Sequence, residues 1–225
     1  VGFDFAFGYP AEAGLPAGRA LCARLAALVR DAPDGVNNRF EVAGLLNREI
    51  QAALGGGFDG PFWCHPSGRR YAHLTPRRPT PFPPRIPAGR LVERRLAHRG
   101  IQSPWKLFTV GAVGSQTLLG LPAVHRLLTD ATLGGRARLW PFETAWDRDI
   151  GSDAIVIAEM WPSLLPRRHA YPIKDQDQVA AVRDRALDDP GALAAALARP
   201  AGLTDDEERI ARQREGWIVG GPSIA

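Results

Sequence analysis

Val-Gly-Phe-Asp-Phe-Ala-Phe, residues 1–7, is closed by Gly8, Tyr9 and Pro10. A short apolar run that ends on glycine and proline predicts a buried strand. Asp4 interrupts it between Phe3 and Phe5. A carboxylate inside an apolar strand is costly unless it is paired, hydrogen-bonded or metal-bound, which makes Asp4 a candidate site residue. Val1 already belongs to the strand, so a further segment is expected upstream.

The pattern returns at residues 153–161, Asp-Ala-Ile-Val-Ile-Ala-Glu-Met-Trp. This predicts a second buried strand with Glu159 at its end. An acid there points into the crevice beyond the sheet, where α/β proteins place ligands. Residues 136–142 predict a third strand, and Glu143 follows it in the same manner. Between the strands the apolar spacing turns helical. Leu21, Leu25 and Leu28 fit a helix over residues 15–29. Phe40, Leu45 and Ile50 fit one that Asn37 or Asn38 can cap and that Gly55, Gly56 and Gly57 stop. A third helix is expected over residues 111–128, a short basic one over 89–98, and a strand or turn over 103–110. Helices over 175–188, 190–199 and 205–215 close the chain, the last opening on the Thr204–Glu207 capping box. Strands interleaved with helices predict one α/β domain over residues 1–225.

Residues 58–88 break this alternation. Seven prolines follow Pro61, and proline blocks helix and central strand alike. An irregular excursion laid over the surface is expected, anchored by Phe62, Trp63, Tyr71 and Phe82. The charge is concentrated here. Residues 61–110 hold ten Lys or Arg against one acid, Glu93, whereas the rest of the chain is acidic. A basic block on an acidic body suits a polyanion, and a solvated arginine-rich loop explains it equally well. For a nucleic-acid partner over residues 61–99, Arg69, Arg70, Arg77 and Arg78 are the candidate contacts.

Other chemistries are poorly supported. No apolar run is long enough for a membrane helix, so no membrane partner is expected. Cys22 and Cys64 are too few for a disulfide scaffold or a structural zinc site, and a reducing, cytoplasmic location fits. The five histidines form no H-x-x-x-H pair, and no G-x-S-x-G elbow occurs. The acids Asp4, Glu159 and Asp175 suggest a set of hard oxygen ligands suited to Mg²⁺ or Mn²⁺. Asp175 and Asp177 also sit where a helix cap is expected. Gly111, Gly114 and Ser115 resemble a phosphate-cradling turn at a helix start, and close packing of helix on sheet explains those glycines as well.

Residues 1–10 resemble the Asp-bearing strand and turn of a DUF429-related family of uncharacterised bacterial proteins. Residues 103–108, 111–120, 140–144, 158–163, 174–175 and 215–218 match further pieces in consistent order. The family is regarded as predicted nucleases with a ribonuclease-H-like fold. The resemblance implies a mixed sheet flanked by helices. It implies Asp4 on a central strand, Glu159 at a second strand end, Asp175 near a following helix, and a first catalytic Asp on a strand before Val1. The expected activity is divalent-metal-dependent phosphodiester hydrolysis. A small phosphorylated or carboxylated metabolite as substrate, or a binding domain that retained the fold, are the alternatives.

Overall fold

The computed structural model describes residues 1–97, 100–147, 150–166 and 170–221. Its sheet has three parallel strands in the order β1 (Gly2–Phe3), β3 (Ile155–Glu159), β2 (Ala137–Leu139). Gly2 lies opposite Ala158, Phe3 opposite Glu159, and Leu139 opposite Ile157. The predicted alternation is therefore present, and the chain is α/β. The expected mixed sheet is not seen: all three strands of the sheet run parallel among the described residues.

Helices α1 (Gly18–Leu28), α2 (Arg39–Ala53) and α4 (Val113–Thr129) pack beside the sheet. Their inward positions Leu21, Leu25, Leu46, Ile50, Leu118, Leu121 and Val124 form the main core with Phe7, Leu139 and Ile157. The helical spacing of these residues places them on one face of each helix. Cys22 lies in this core, and burial pushes its thiol up to about 12, as befits an inert core sulfur. A second core holds Leu96, Trp140, Trp146, Trp217 and Ile218. It joins α3 (Leu91–Arg95), Leu203 and Ala211 on either side of α7 (Asp205–Ile210), and residues 217–219; α6 (Pro190–Ala196) packs against it through Ala196, whereas α5 (Lys174–Asp188) contributes no residue to it. No helix among the described residues is long and apolar enough to cross a membrane.

Several predicted bounds contract. The strand over 136–142 pairs only through Leu139, and residues 103–110 form no strand, only a single bridge from Lys106 to Trp63. The basic helix over 89–98 is the short α3, capped by Arg90 with Glu93; residue 98 lies outside the described residues.

The excursion over residues 58–88 is irregular, as its prolines dictate, yet it does not merely cover the surface. Phe62, Leu74 and Ile86 enter the main core. Asn47, fully buried on α2, fastens it. Its amide donates to the carbonyls of Phe62 (2.9 Å) and His73 (2.7 Å), and its oxygen accepts from the Phe62 N–H (2.9 Å). Asn47→Ala would strand two buried backbone groups of Phe62 and the part-buried His73 carbonyl. A loss of roughly 3 kcal/mol is expected in urea denaturation, since each orphaned group costs about 1–3 kcal/mol. A change below about 0.5 kcal/mol would show that the excursion is held by its aromatic contacts alone.

Candidate functional site

Because β1 and β3 run parallel, both deliver their last residues to the same end of the sheet. The hydrogen bonds Ala158 N–H to Val1 O (2.9 Å) and Met160 N–H to Phe3 O (2.8 Å) fix that register. Pairing stops at Phe3, so Asp4 lies just past the strand and is exposed. This corrects the expectation of a carboxylate buried within an apolar strand. The following aromatics Phe5 and Phe7 turn inward and pack on one another at 5.5 Å, outside any strand pairing.

Asp4 and Glu159 line one cleft of about 200 Å³, together with Gln102, Gly111 and Gln116. Their carboxylates are in opposite states. Glu159 is buried, and both its oxygens are engaged. Arg90 donates to Oε2 (2.8 Å) and Oε1 (2.5 Å), and the Phe7 N–H donates to Oε2 (2.9 Å). Arg90, itself wholly buried, also donates to Glu93 Oε1 and to the Glu215 carbonyl (2.9 Å). Glu215 in turn accepts from the Leu91 N–H (2.6 Å) and the Ala11 N–H (2.8 Å). Burial pushes Glu159 up while Arg90 pulls it down, and the pull of burial is the larger. Glu159 is thus the anchor of a buried ion cluster whose oxygens face Arg90.

Asp4 makes no hydrogen bond or ion pair among the described residues. Partial withdrawal from water, and then the nearby charge of Asp175, push its carboxyl up. Asp175 is exposed on the first turn of α5. The two acids are therefore near enough for their charges to repel. Asp177, two residues on, is buried and accepts from the N–H groups of Ala170 (2.8 Å) and Tyr171 (3.3 Å). Its role is structural, as is that of Glu143, which pairs with Arg19 at 2.5 Å and accepts from the Leu139 N–H at 2.7 Å.

The glycine turn is placed at the cleft but its donors are occupied. The N–H groups of Val113, Gly114, Ser115 and Gln116 bond to Gly111 O, Lys106 O and Ala112 O. The Ser115 hydroxyl donates to Leu107 O and receives Arg39 Nε at 3.1 Å. A Cβ on Gly114 would meet Pro104 O at 2.6 Å and Lys106 O at 2.7 Å. Gly114 thus lets α4 approach the preceding loop, and of this turn Gly111, Val113 and Gln116 line the cleft while Gly114 and Ser115 do not.

Next to the cleft, and sharing Glu93 and Gln102 with it, a groove of about 450 Å³ is lined by Trp63, Arg78, Arg94 and Lys106. Lys106 and Gln116 are possible ligand contacts from the sequence; Arg94 and Gln102 are not marked by any spacing, because each sits in or beside an irregular segment. The four arginines assigned to a polyanion are all exposed, and none is ion-paired among the described residues. They are not one patch: Arg78 lines this groove, whereas Arg70 lines a separate pocket against α2. Within the basic block Arg90 is buried against its carboxylates and Arg95 pairs with Glu207 at 2.6 Å, so neither charge faces a partner.

A metal ion needs oxygen donors that are not already engaged. Among the described residues no group of three or more His, Cys, Asp or Glu side chains could hold one. Asp4 and Asp175 provide two free carboxylates, a donor set that fits a single Mg²⁺ completed by water and substrate phosphate. It does not fit two ions with Glu159 between them. Compared with family models, curated proteins and solved structures, the chain matches none.

Proposed function

We propose that the chain is a divalent-metal-dependent phosphodiester hydrolase acting on single-stranded nucleic acid. One observation carries this: Asp4, an unpaired carboxylate just past the end of β1, lines a cleft that adjoins a basic groove, and the charge of Asp175, on the first turn of α5, reaches it. The resemblance of residues 1–10 to a ribonuclease-H-like family supports it further. Asp4 and Asp175 would hold Mg²⁺ or Mn²⁺, which when bound supplies charge stabilisation at a phosphate. Arg78, Arg94 and Lys106 position the neighbouring phosphates, and Trp63 gives the groove an aromatic wall for a base. Gln102, whose amide donates to the Gly100 carbonyl at 3.0 Å, and Gln116 line the cleft. Arg90 keeps Glu159 in place and so fixes the strand end that carries the cleft wall.

The small volume of the cleft favours a second reading, a compact phosphorylated metabolite. One panel separates them: single-stranded and duplex oligonucleotides and small phosphomonoesters, each with Mg²⁺, Mn²⁺ or EDTA. Metal-dependent cleavage of single strands, faster than of duplex, is expected. Turnover confined to a phosphomonoester would replace the first reading with the second, and no turnover of any substrate would remove both.

A further inference from the structure

We infer that a second phosphoryl-binding site lies on the α2 face, built by Arg48, Arg70 and His73, and that it holds a phosphate of the same strand away from the cleft. The inference rests on the nucleic-acid reading above. It starts from a pocket of about 340 Å³ lined by Glu41, Arg48, Tyr71 and these partners. Arg48 projects from the middle of α2, while Arg70 and His73 come from the excursion. All three are exposed, and among the described residues neither arginine has an ion-pair partner.

The chain distorts itself to make this meeting. His73 has φ +58°, a left-handed conformation that a non-glycine residue adopts at a cost. Its carbonyl is held by buried Asn47 at 2.7 Å. Gly44, inside α2, gives up helix propensity so that the turn can dock. A Cβ there would meet the Ala72 carbonyl oxygen at 2.2 Å. Tyr71 is braced by Phe40 (5.0 Å between ring centroids) and His65 (5.2 Å). The turn is therefore a rigid mount, fixed from below, with two guanidinium forks and an imidazole at its rim. Guanidinium forks match phosphate oxygens in pairs, and an imidazole offers a ring N–H in either tautomer. Glu41 on the same wall excludes nothing of this size, since two arginines outweigh it, and its carboxylate can accept from a sugar hydroxyl or a base amino group.

The test measures a fluorescent single-stranded oligonucleotide by anisotropy over a salt series, with inorganic phosphate as competitor. Three proteins are compared: wild type, R48A/R70A and His73→Gly. The glycine variant relieves the strained backbone while removing the ring, so it stays folded even if the double variant does not. Affinity is expected to fall about tenfold or more in R48A/R70A, as loss of charge-assisted hydrogen bonds implies. The slope of log affinity against log salt should flatten by about 0.7 for each single-strand phosphate released. His73→Gly should weaken binding severalfold without lowering Tm. Oligonucleotide binding that both variants leave intact would overturn the site and spare the hydrolase reading. Inorganic phosphate binding lost in the variants, in a protein that neither binds nor cuts oligonucleotides, would keep the site and overturn that reading. Absence of both kinds of binding overturns the site.

Discussion

Arg90→Met is expected to destabilise the protein by about 3–5 kcal/mol, the cost of removing one partner from a buried ion cluster. The geometry explains the size. Arg90 is wholly buried and donates to Glu93, to both oxygens of Glu159 and to the Glu215 carbonyl. The methionine would fill most of the space but leave two buried carboxylates facing each other. Arg90→Lys should recover only part of the loss, because an ammonium is one point charge where the guanidinium makes a planar fork to several acceptors. The deficit should also depend on pH. Burial already pushes Glu159 up with Arg90 present, and without it only the hydrogen bond from the Phe7 N–H opposes that push. A raised folded-state pKa means that protonation favours the folded form. Stability is then held below the ordinary glutamate value, about 4.3, and is lost as pH rises from there towards the folded value. Urea denaturation at pH 4 and pH 7 should therefore show a smaller deficit at pH 4. A variant within about 1 kcal/mol of wild type at pH 7 would mean that the cluster is not held as described.

Why the sequence shows one half of this arrangement and conceals the other follows from range. Leu21, Leu25 and Leu28 announce α1 because its periodicity is local, and Ile155–Glu159 announces β3 because a continuous apolar run bounded by polar residues has few other homes. Glu159 was legible as a strand-end acid for the same reason. Its partner was not: Arg90 lies 69 residues away, inside a block whose composition suggests a solvated basic surface. The local hint was Glu93 three residues on, the other half of a capping box. Asp4 misled in the opposite direction. Phe3, Phe5 and Phe7 imply burial, and they are indeed partly or wholly buried, but their rings pack in succession at 5.4 and 5.5 Å rather than along an extended strand. Apolar character reports burial of those side chains and says little about where pairing ends. The basic excursion divided between two pockets for a further reason. Asn47 and the docking turn at His73 decide which way Arg70 faces, and no spacing within residues 58–88 encodes a contact with α2.

Asp4→Asn is expected to lower metal-dependent cleavage by roughly 100-fold or more, the scale on which loss of one positioned group at a reacting centre is felt. Asparagine keeps the shape of the side chain and removes its charge, so the effect isolates the electrostatic role. The same change should leave the metal-free protein at least as stable at pH 7. Asp4 is pushed up by partial loss of water and by Asp175, so its ionisation disfavours the folded state. The sign follows from proton binding. The folded form holds the Asp4 proton more tightly, so its stability is highest below the ordinary aspartate value near 3.9 and declines as pH rises through the window above it. The variant lacks that decline, and its advantage should vanish below about pH 4. A divalent ion reverses the order. Bound only to the folded form, it stabilises by about 2.7 kcal/mol at a hundredfold excess over its dissociation constant, which for a chain of this length raises Tm by roughly 5–10 °C. Wild type should show that rise with Mg²⁺ or Mn²⁺, and Asp4→Asn should lose it. A scaffold role for Asp4 makes the opposite forecast: no response to metal in either protein, and a metal-free variant that melts lower because an acceptor has been weakened. Differential scanning fluorimetry at pH 4 and pH 7, with and without the ion, separates the two. A wild-type protein whose Tm ignores both ions would remove the metal from the mechanism, and with it the reason for Asp4 and Asp175 to stand within reach of each other's charge.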